Sequence, residues 1–336
     1  MSRAFDIDVI ASTPDHDTPG SVADLAVLAE ELGFDRFSMG EATGWNLATV
    51  LAVVAERTDG IGLSDDVFSP FGRSPAMLAQ TALTLHDISD GRFRLGLGPS
   101  SPAITERWHG QPFERPLRRL RETIEVIHAV YENGNPEYHG EVFDIDGLDY
   151  DRSVPEDPPA IDLATLGPKA TELAGRFADG WVPQLFTVDA LEERLEDLHR
   201  GADLGGRDPG ELRSSLVVRT FADEDREHAR ETARSMVAFL IGAYGPFYGD
   251  SVAEQGYPGM VAEIREAWGE RDTAAMAEAL TDEALDDLAA AGTPEEVRER
   301  LREYGAVDGL DAVRVGFVSG MTAEEKRATM RAVAEL

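Results

Sequence analysis

Short β-rich runs alternate with amphipathic helical stretches from one end of the chain to the other, and this alternation limits the fold more than any other feature. The runs lie near 5–11, 35–40, 60–68, 92–98, 158–164, 179–184, 213–221 and 311–318. Strands that alternate with helices form a parallel sheet with crossover connections. Eight of them predict closure into a (β/α)8 TIM barrel, a fold that can take all 336 residues as one domain. The competing architecture is an open doubly wound sheet. Against it, no Gly-x-Gly-x-x-Gly turn follows the first run, where Thr13-Pro14-Asp15-His16 stands instead.

Helix signals agree with the alternation. Ser21 to Leu32 repeats apolar residues at helical spacing and stops at Gly33, and Thr293-Pro294-Glu295-Glu296 combines a capping box with proline at the first helical position. Two stretches exceed a minimal barrel: a Gly-, Pro- and Tyr-rich segment at 134–157, read as a hairpin and loop, and a helical insertion at 235–290 between the seventh and eighth strands. Long insertions at a barrel mouth shape or cover a substrate site. An oligomer contact is the equal alternative for the Phe239 to Tyr257 part.

Composition narrows the function classes. Sixty-four acids against 31 bases give a net charge of −33, which repels phosphates and disfavours nucleic acid. The acids are spread over helix faces, the pattern of a halophilic, haloarchaeal-type protein whose self-repulsion is screened over about 3 Å at 1 M salt. With no cysteine, thiolate chemistry, disulfides and cysteine-bound metals are excluded. The opening Met-Ser-Arg-Ala-Phe carries no apolar signal core, and no run is long enough to span a membrane, so a soluble cytoplasmic protein is expected.

Catalytic groups of a barrel sit at the carboxyl ends of its strands. Strand one, Phe5-Asp6-Ile7-Asp8-Val9-Ile10, puts Asp6 and Asp8 on one face, toward the barrel interior, where Asp8 needs a partner or a raised pKa. A structural carboxylate is the alternative. Strand two ends in Met39-Gly40-Glu41-Ala42-Thr43-Gly44-Trp45, an acid and an indole suited to a planar ligand; the bland reading has Trp45 packing the helix and Glu41 capping it. Strand three ends in Ser64-Asp65-Asp66-Val67, whose adjacent carboxylates point to opposite faces and make a poor Mg²⁺ site. Strand four runs into Pro99-Ser100-Ser101, an anion or cofactor-tail cradle or a mere glycine-rich turn. Strand five leads to Ala164-Thr165-Leu166-Gly167-Pro168-Lys169, where a helix N-terminus and one of only two lysines suit a phosphate, unless Lys169 is a plain surface lysine. No His-x-His, His-Glu-x-x-His or Gly-x-Ser-x-Gly occurs, so neither a histidine metal site nor a hydrolytic triad is expected.

Together these segments resemble the bacterial-luciferase-like family, in particular its branch using the deazaflavin coenzyme F-420. The motifs are Gly40 to Trp45, Phe68-Ser69-Pro70-Phe71-Gly72-Arg73-Ser74-Pro75, Gly91 to Gly98, Phe113-Glu114-Arg115-Pro116-Leu117-Arg118-Arg119, and Leu166 to Lys169 followed by Ala178-Asp179-Gly180-Trp181. The resemblance implies a homodimeric barrel enzyme that binds the coenzyme at its mouth. It also implies a non-proline cis peptide at Asp66-Val67 behind the ring, with the phosphate-bearing tail at Pro99-Ser100-Ser101 and Thr165 to Lys169. Asp8 matches the acid thought to handle the substrate proton in methylene-tetrahydropterin reductases. Two departures stand out: Ala42 replaces the histidine that many relatives place after the strand-two acid, and the acid that a glucose-phosphate dehydrogenase carries near Ser101 is absent.

The expectation is a coenzyme F-420-dependent oxidoreductase acting on a small organic substrate, a pterin-type methylene carrier among them, with Asp8 or Glu41 moving the proton. Trp45, Asp65, Asp66, Val67, Pro99, Ser100, Ser101, Ala164, Thr165, Gly167, Pro168 and Lys169 are expected to bind the cofactor. An FMN-dependent monooxygenase is the nearest competitor. A lyase with a Schiff-base lysine and a non-catalytic flavin-binding protein rank lower, since neither Lys169 nor Lys326 lies on a strand.

Overall fold

In the computed structural model, residues 3–12 and 16–336 are described; Met1, Ser2 and Thr13-Pro14-Asp15, where the open-sheet alternative requires a dinucleotide turn, lie outside them. Eleven strands are present among the described residues: β1 (Asp6–Ser12), β2 (Arg36–Gly40), β3 (Gly62–Asp65), β4 (Phe93–Leu97), β5 (Tyr138–His139), β6 (Asp144–Ile145), β7 (Ile161–Leu163), β8 (Gly180–Trp181), β9 (Arg213–Ala222), β10 (Ala289–Gly292) and β11 (Ala312–Phe317). Eight pair in parallel in the order β9, β11, β1, β2, β3, β4, β7, β8, and β8 returns to β9. The barrel is therefore closed, as the eight runs predict.

β5 and β6 form the antiparallel hairpin expected within 134–157. The helical insertion starts earlier than read from sequence, at Arg226, and continues through Pro246–Glu254, Pro258–Glu270 and Thr273–Ala279 to Asp282–Leu288. It ends in β10, which pairs in parallel with the upper half of β9. Its sequence Ala-Ala-Ala-Gly has little intrinsic strand preference, so only the free edge of β9, beyond the short β8, explains it. The Thr293 capping box forms as expected: Glu296 accepts from the Thr293 N–H at 2.9 Å, and Thr293 Oγ1 accepts in return.

The period of two along each strand sorts the barrel interior into layers. On β1, Ile7, Val9 and Ala11 are buried in the hydrophobic core, while Asp6, Asp8 and Ile10 share the other face. Asp8 is level with Arg314 of β11 and Arg36 of β2. At about 3.3 Å per residue, Asp8 lies roughly 7 Å below Ile10. That step separates a charged lower layer from the mouth.

Candidate active site

The lower layer is an ion network. Arg213 donates to both oxygens of Asp8 at 3.1 Å and to Asp6 at 2.7 Å, Ser215 Oγ donates to Asp8 at 2.8 Å, and Arg314 approaches Asp8 at 3.4 Å. Arg94 pairs with Asp162 through both arms of its guanidinium. Burial opposes the charge on Asp162, yet Arg94, with Arg36 and Arg314 behind it, holds that carboxyl below its ordinary value. Burial pushes the Arg36 guanidinium down to about 10, although Asp8 opposes the shift.

Above this layer opens a cavity of about 580 Å³, within the range of small-molecule sites. It is lined by Glu41, Asp66, Val67, Pro99, Ser100, Ser101, Ala164, Thr165, Gly167, Pro168 and Lys169, so eleven residues singled out by sequence meet in one place. Asp8, Trp45 and Asp65 do not line it. Asp8 is one layer too deep, and Trp45 packs half-buried against the core. Asp65, fully buried, accepts from the Phe68 N–H at 2.6 Å and the Gly96 N–H at 2.8 Å. Burial, with the Asp66 and Glu41 carboxylates adding to it, lifts its pKa well above the ordinary value although the two backbone hydrogen bonds oppose this. Its carboxyl ties the end of β3 to β4.

The peptide bond between Asp66 and Val67 is cis, at the position the resemblance implies. Glycines make room for this turn: a Cβ on Gly96 would lie 2.2 Å from the Asp65 carbonyl oxygen, and one on Gly98 2.5 Å from Val67 Cγ2. Val67 therefore stands in the cavity wall. Asp66 accepts from Ser38 Oγ at 2.8 Å and from Arg314; burial raises its pKa although Arg314 opposes this. It links the charged layer to the mouth.

Glu41 does not cap the helix after β2, because Asn46 does so by accepting from Thr49 N–H at 3.2 Å. Instead both Glu41 oxygens face Arg73, one at 2.6 Å, and the Arg73 guanidinium lies 4.3 Å from the Phe68 ring centroid. The Phe68 to Pro75 motif thus supplies the partner that fixes Glu41. Across the cavity, the Trp181 indole donates to the Thr165 carbonyl at 3.0 Å and holds the turn leading to the helix Pro168–Phe177. That helix has no side-chain cap, and Lys169 in its first turn is exposed with no ion-pair partner among the described residues. Ser101 caps the short helix Pro102–Arg107, and Ser100 adopts a left-handed φ of 63° that turns the chain around the cavity edge.

These features fit a ring-bearing cofactor with an anionic tail. A glycine-backed wall at Val67 and Gly98 admits a planar ring, and the uncapped helix with Lys169 favours negative charge. Among the described residues no cluster of three or more His, Asp or Glu could hold a metal. The opposite wall is made by Gln184, Val217, Tyr244, Phe247, Tyr248 and Ser251, none singled out by sequence, although the Phe239 to Tyr257 part of the insertion is expected either to shape the site or to form an oligomer contact. Only the aromatic cluster Tyr244-Gly245-Pro246-Phe247-Tyr248 in the insertion signalled it.

Comparison with known proteins fixes the ancestry of this arrangement. A sequence model of the luciferase-like monooxygenases matches residues 4–309. The chain belongs to the luciferase-like monooxygenase family. Within it, the chain is 29% identical to the 5,10-methylenetetrahydromethanopterin reductase of Archaeoglobus fulgidus, over 87% of this chain and 88% of the relative. It is 34% identical to the F-420-dependent glucose-6-phosphate dehydrogenase of Nakamurella multipartita, over 66% of this chain and 70% of the relative. The solved coenzyme F-420-dependent tetrahydromethanopterin reductase of Methanopyrus kandleri superposes with a TM-score of 0.86 at 25% identity, covering 98% of this chain and 97% of that one. The luciferase-like barrel expected from the motifs is borne out.

Proposed function

We propose that this luciferase-like protein is a coenzyme F-420-dependent oxidoreductase that transfers a hydride between the deazaflavin and a small organic substrate. The observation that carries the reading is the joining of two environments in one cavity: an apolar chamber backed by Val67 and Gly98, and an uncapped helix N-terminus with Lys169 at its rim. The names of the Nakamurella multipartita relative and the Methanopyrus kandleri structure support the same cofactor. When bound, the coenzyme supplies or accepts the hydride, and the protein binds, orients and excludes water. Val67 and Gly98 would back the ring, while Ser100, Ser101 and the Thr165 to Lys169 turn would take the tail.

Of the two carboxylates expected to move a proton, only Glu41 lines the cavity, so it would be the one to stand beside the reacting atoms. Asp8 acts on the site through Arg314, which contacts both Asp8 and Asp66. Trp45 and Asp65 support this cradle from behind. A pterin-type methylene carrier is the substrate class we favour, and a homodimer working in a high-salt cytoplasm completes the reading.

Purified protein should bind coenzyme F-420, seen as a change in deazaflavin fluorescence. Glu41→Gln should lower kcat by at least about tenfold while leaving that binding intact. Retention of FMN with oxygen-dependent turnover, and no deazaflavin binding, would replace this reading with a flavin monooxygenase.

A further inference from the structure

The insertion after β9 supplies an aromatic wall that no sequence motif of the barrel assigns. Tyr244, Phe247 and Tyr248 all line the cavity, the last two from the first turn of the helix Pro246–Glu254. The Tyr244 and Tyr248 rings lie 5.9 Å apart, tilted by 52°. Among the described residues neither hydroxyl has a hydrogen-bond partner. Both residues are half-buried and line the cavity, so these two donors are open to a ligand there.

The wall is held in place at both ends of its helix. Phe247 packs 5.9 Å from Phe113, which stacks 5.2 Å from Phe71, tying the insertion to the loops after β3 and β4. Beyond the other end, Gln255 accepts from the Thr187 N–H at 2.8 Å and donates to the Leu185 carbonyl at 3.0 Å. Burial, with Tyr244 and Asp66 nearby, raises the Tyr248 pKa above its ordinary value although Arg219 opposes this, so the phenol remains a donor.

Charge on the cavity surface is one-sided. Glu41, Asp66, Asp250 and Glu254 line it, and Lys169 at the rim is the one cation among the described lining residues. Lys169 stands beside the helix N-terminus that suits the coenzyme tail. A phosphate or carboxylate next to the ring would face these acids, while Arg73 and Arg314 behind the wall are already paired with Glu41 and Asp66, and Arg219 near the tyrosines does not line the cavity, so its desolvation would be poorly offset.

We propose that the molecule exchanging hydride in this cavity is uncharged at its reacting end, a ketone, aldehyde or C=N compound, and that Tyr248 donates a hydrogen bond to its oxygen or nitrogen. This rests on the cofactor reading above. In the reductive direction the reduced coenzyme is the two-electron donor and is oxidised. Hydride addition to the carbon forms a C–H bond and breaks the C=O or C=N π bond. The π electron pair goes to the heteroatom, which takes a proton passed on from water by Glu41. Tyr248 stabilises the charge gathering on that atom without losing its own proton.

The full chain with reduced coenzyme F-420 should be assayed against matched probes: acetone, cyclohexanone and benzaldehyde against the keto acids pyruvate and benzoylformate. Turnover is expected with the neutral carbonyls, at a kcat/KM at least about tenfold above the anions. Tyr248→Phe, which keeps the ring and its packing, should lower kcat on the order of a hundredfold and leave coenzyme affinity within about twofold. A preference for the anions, unchanged kcat in Tyr248→Phe, or no turnover with any probe while the coenzyme binds would overturn the inference alone. Failure to bind the coenzyme would overturn both readings.

Discussion

The lower barrel interior and the mouth are built on the same strands, two to four residues apart, yet they treat polar groups in opposite ways. Below, Arg94, Arg213 and Arg314 meet Asp6, Asp8, Asp66 and Asp162 in ion pairs, and Arg36 donates to the Leu63 carbonyl at 2.9 Å. Above, the corresponding positions are Ile10, Gly98, Ala164, Val182 and Val217, small or apolar, facing phenols without hydrogen bonds. Paired charge spans the closed ring and fixes strand against strand. The Nε groups of Arg36, Arg213 and Arg314 are buried there without a partner among the described residues, enclosed in the layer, whereas the phenols at the mouth line a cavity that a ligand can enter. The comparison separates residues that hold the barrel from residues that meet a substrate.

Removing Arg314 should break the lower layer most severely. Its side chain is 1% exposed and donates to Asp66 and Asp8, so Arg314→Met leaves the buried Asp66 carboxylate without a cation, while Asp8 keeps Arg213 and Ser215. Breaking a buried pair this way costs about 3–5 kcal/mol. Urea denaturation should show a loss of that size. A change under about 1 kcal/mol would mean that packing, not charge, holds this layer.

Acid should act on the same layer more gradually. Because Arg94 holds the Asp162 carboxyl below its ordinary value, the unfolded chain takes up a proton there before the folded one does. The stability this provides is fully present above about pH 4 and is lost as pH falls through the lowered value. Asp65 runs the other way: its raised pKa makes the folded chain bind the proton more tightly, so its contribution falls as pH rises above about 4. Asp162→Asn should therefore flatten the acid limb of a stability-against-pH curve. An unaltered limb would show that the Arg94 pair does not govern acid sensitivity.

How much of this division was legible in sequence follows from what each signal measures. Eight β-rich runs gave the barrel, because parallel strands buried on both faces leave a strong local pattern. Alternation along β1 turned Asp8 inward, but its depth depends on register with β11 and β2, a non-local quantity. Glu41 and the Thr165 to Lys169 turn were legible because strand ends of a barrel converge by geometry. Tyr244 and Tyr248 were not, since an insertion after one strand reaches the mouth only through tertiary packing. β10 was hidden for a similar reason: an edge of β9, not its own alanines, makes it a strand.

Lys169→Gln probes the mouth alone and should have the smallest effect. Lys169 is exposed and has no ion-pair partner among the described residues, so its loss strands no buried charge and thermal stability should stay unchanged. What it does provide is a positive point charge beside an uncapped helix N-terminus, in a chain of net charge −33 that otherwise repels an anionic tail. An exposed pair of this kind contributes up to about 1 kcal/mol, or roughly fivefold in coenzyme affinity. Because salt screens exposed charges, the variant should differ from the parent most at low ionic strength, and the two should converge as salt rises. Fluorescence titration of coenzyme F-420 across a salt series measures both quantities. A constant ratio of affinities at all salt concentrations would place Lys169 away from the tail and leave the helix N-terminus to bind it unaided.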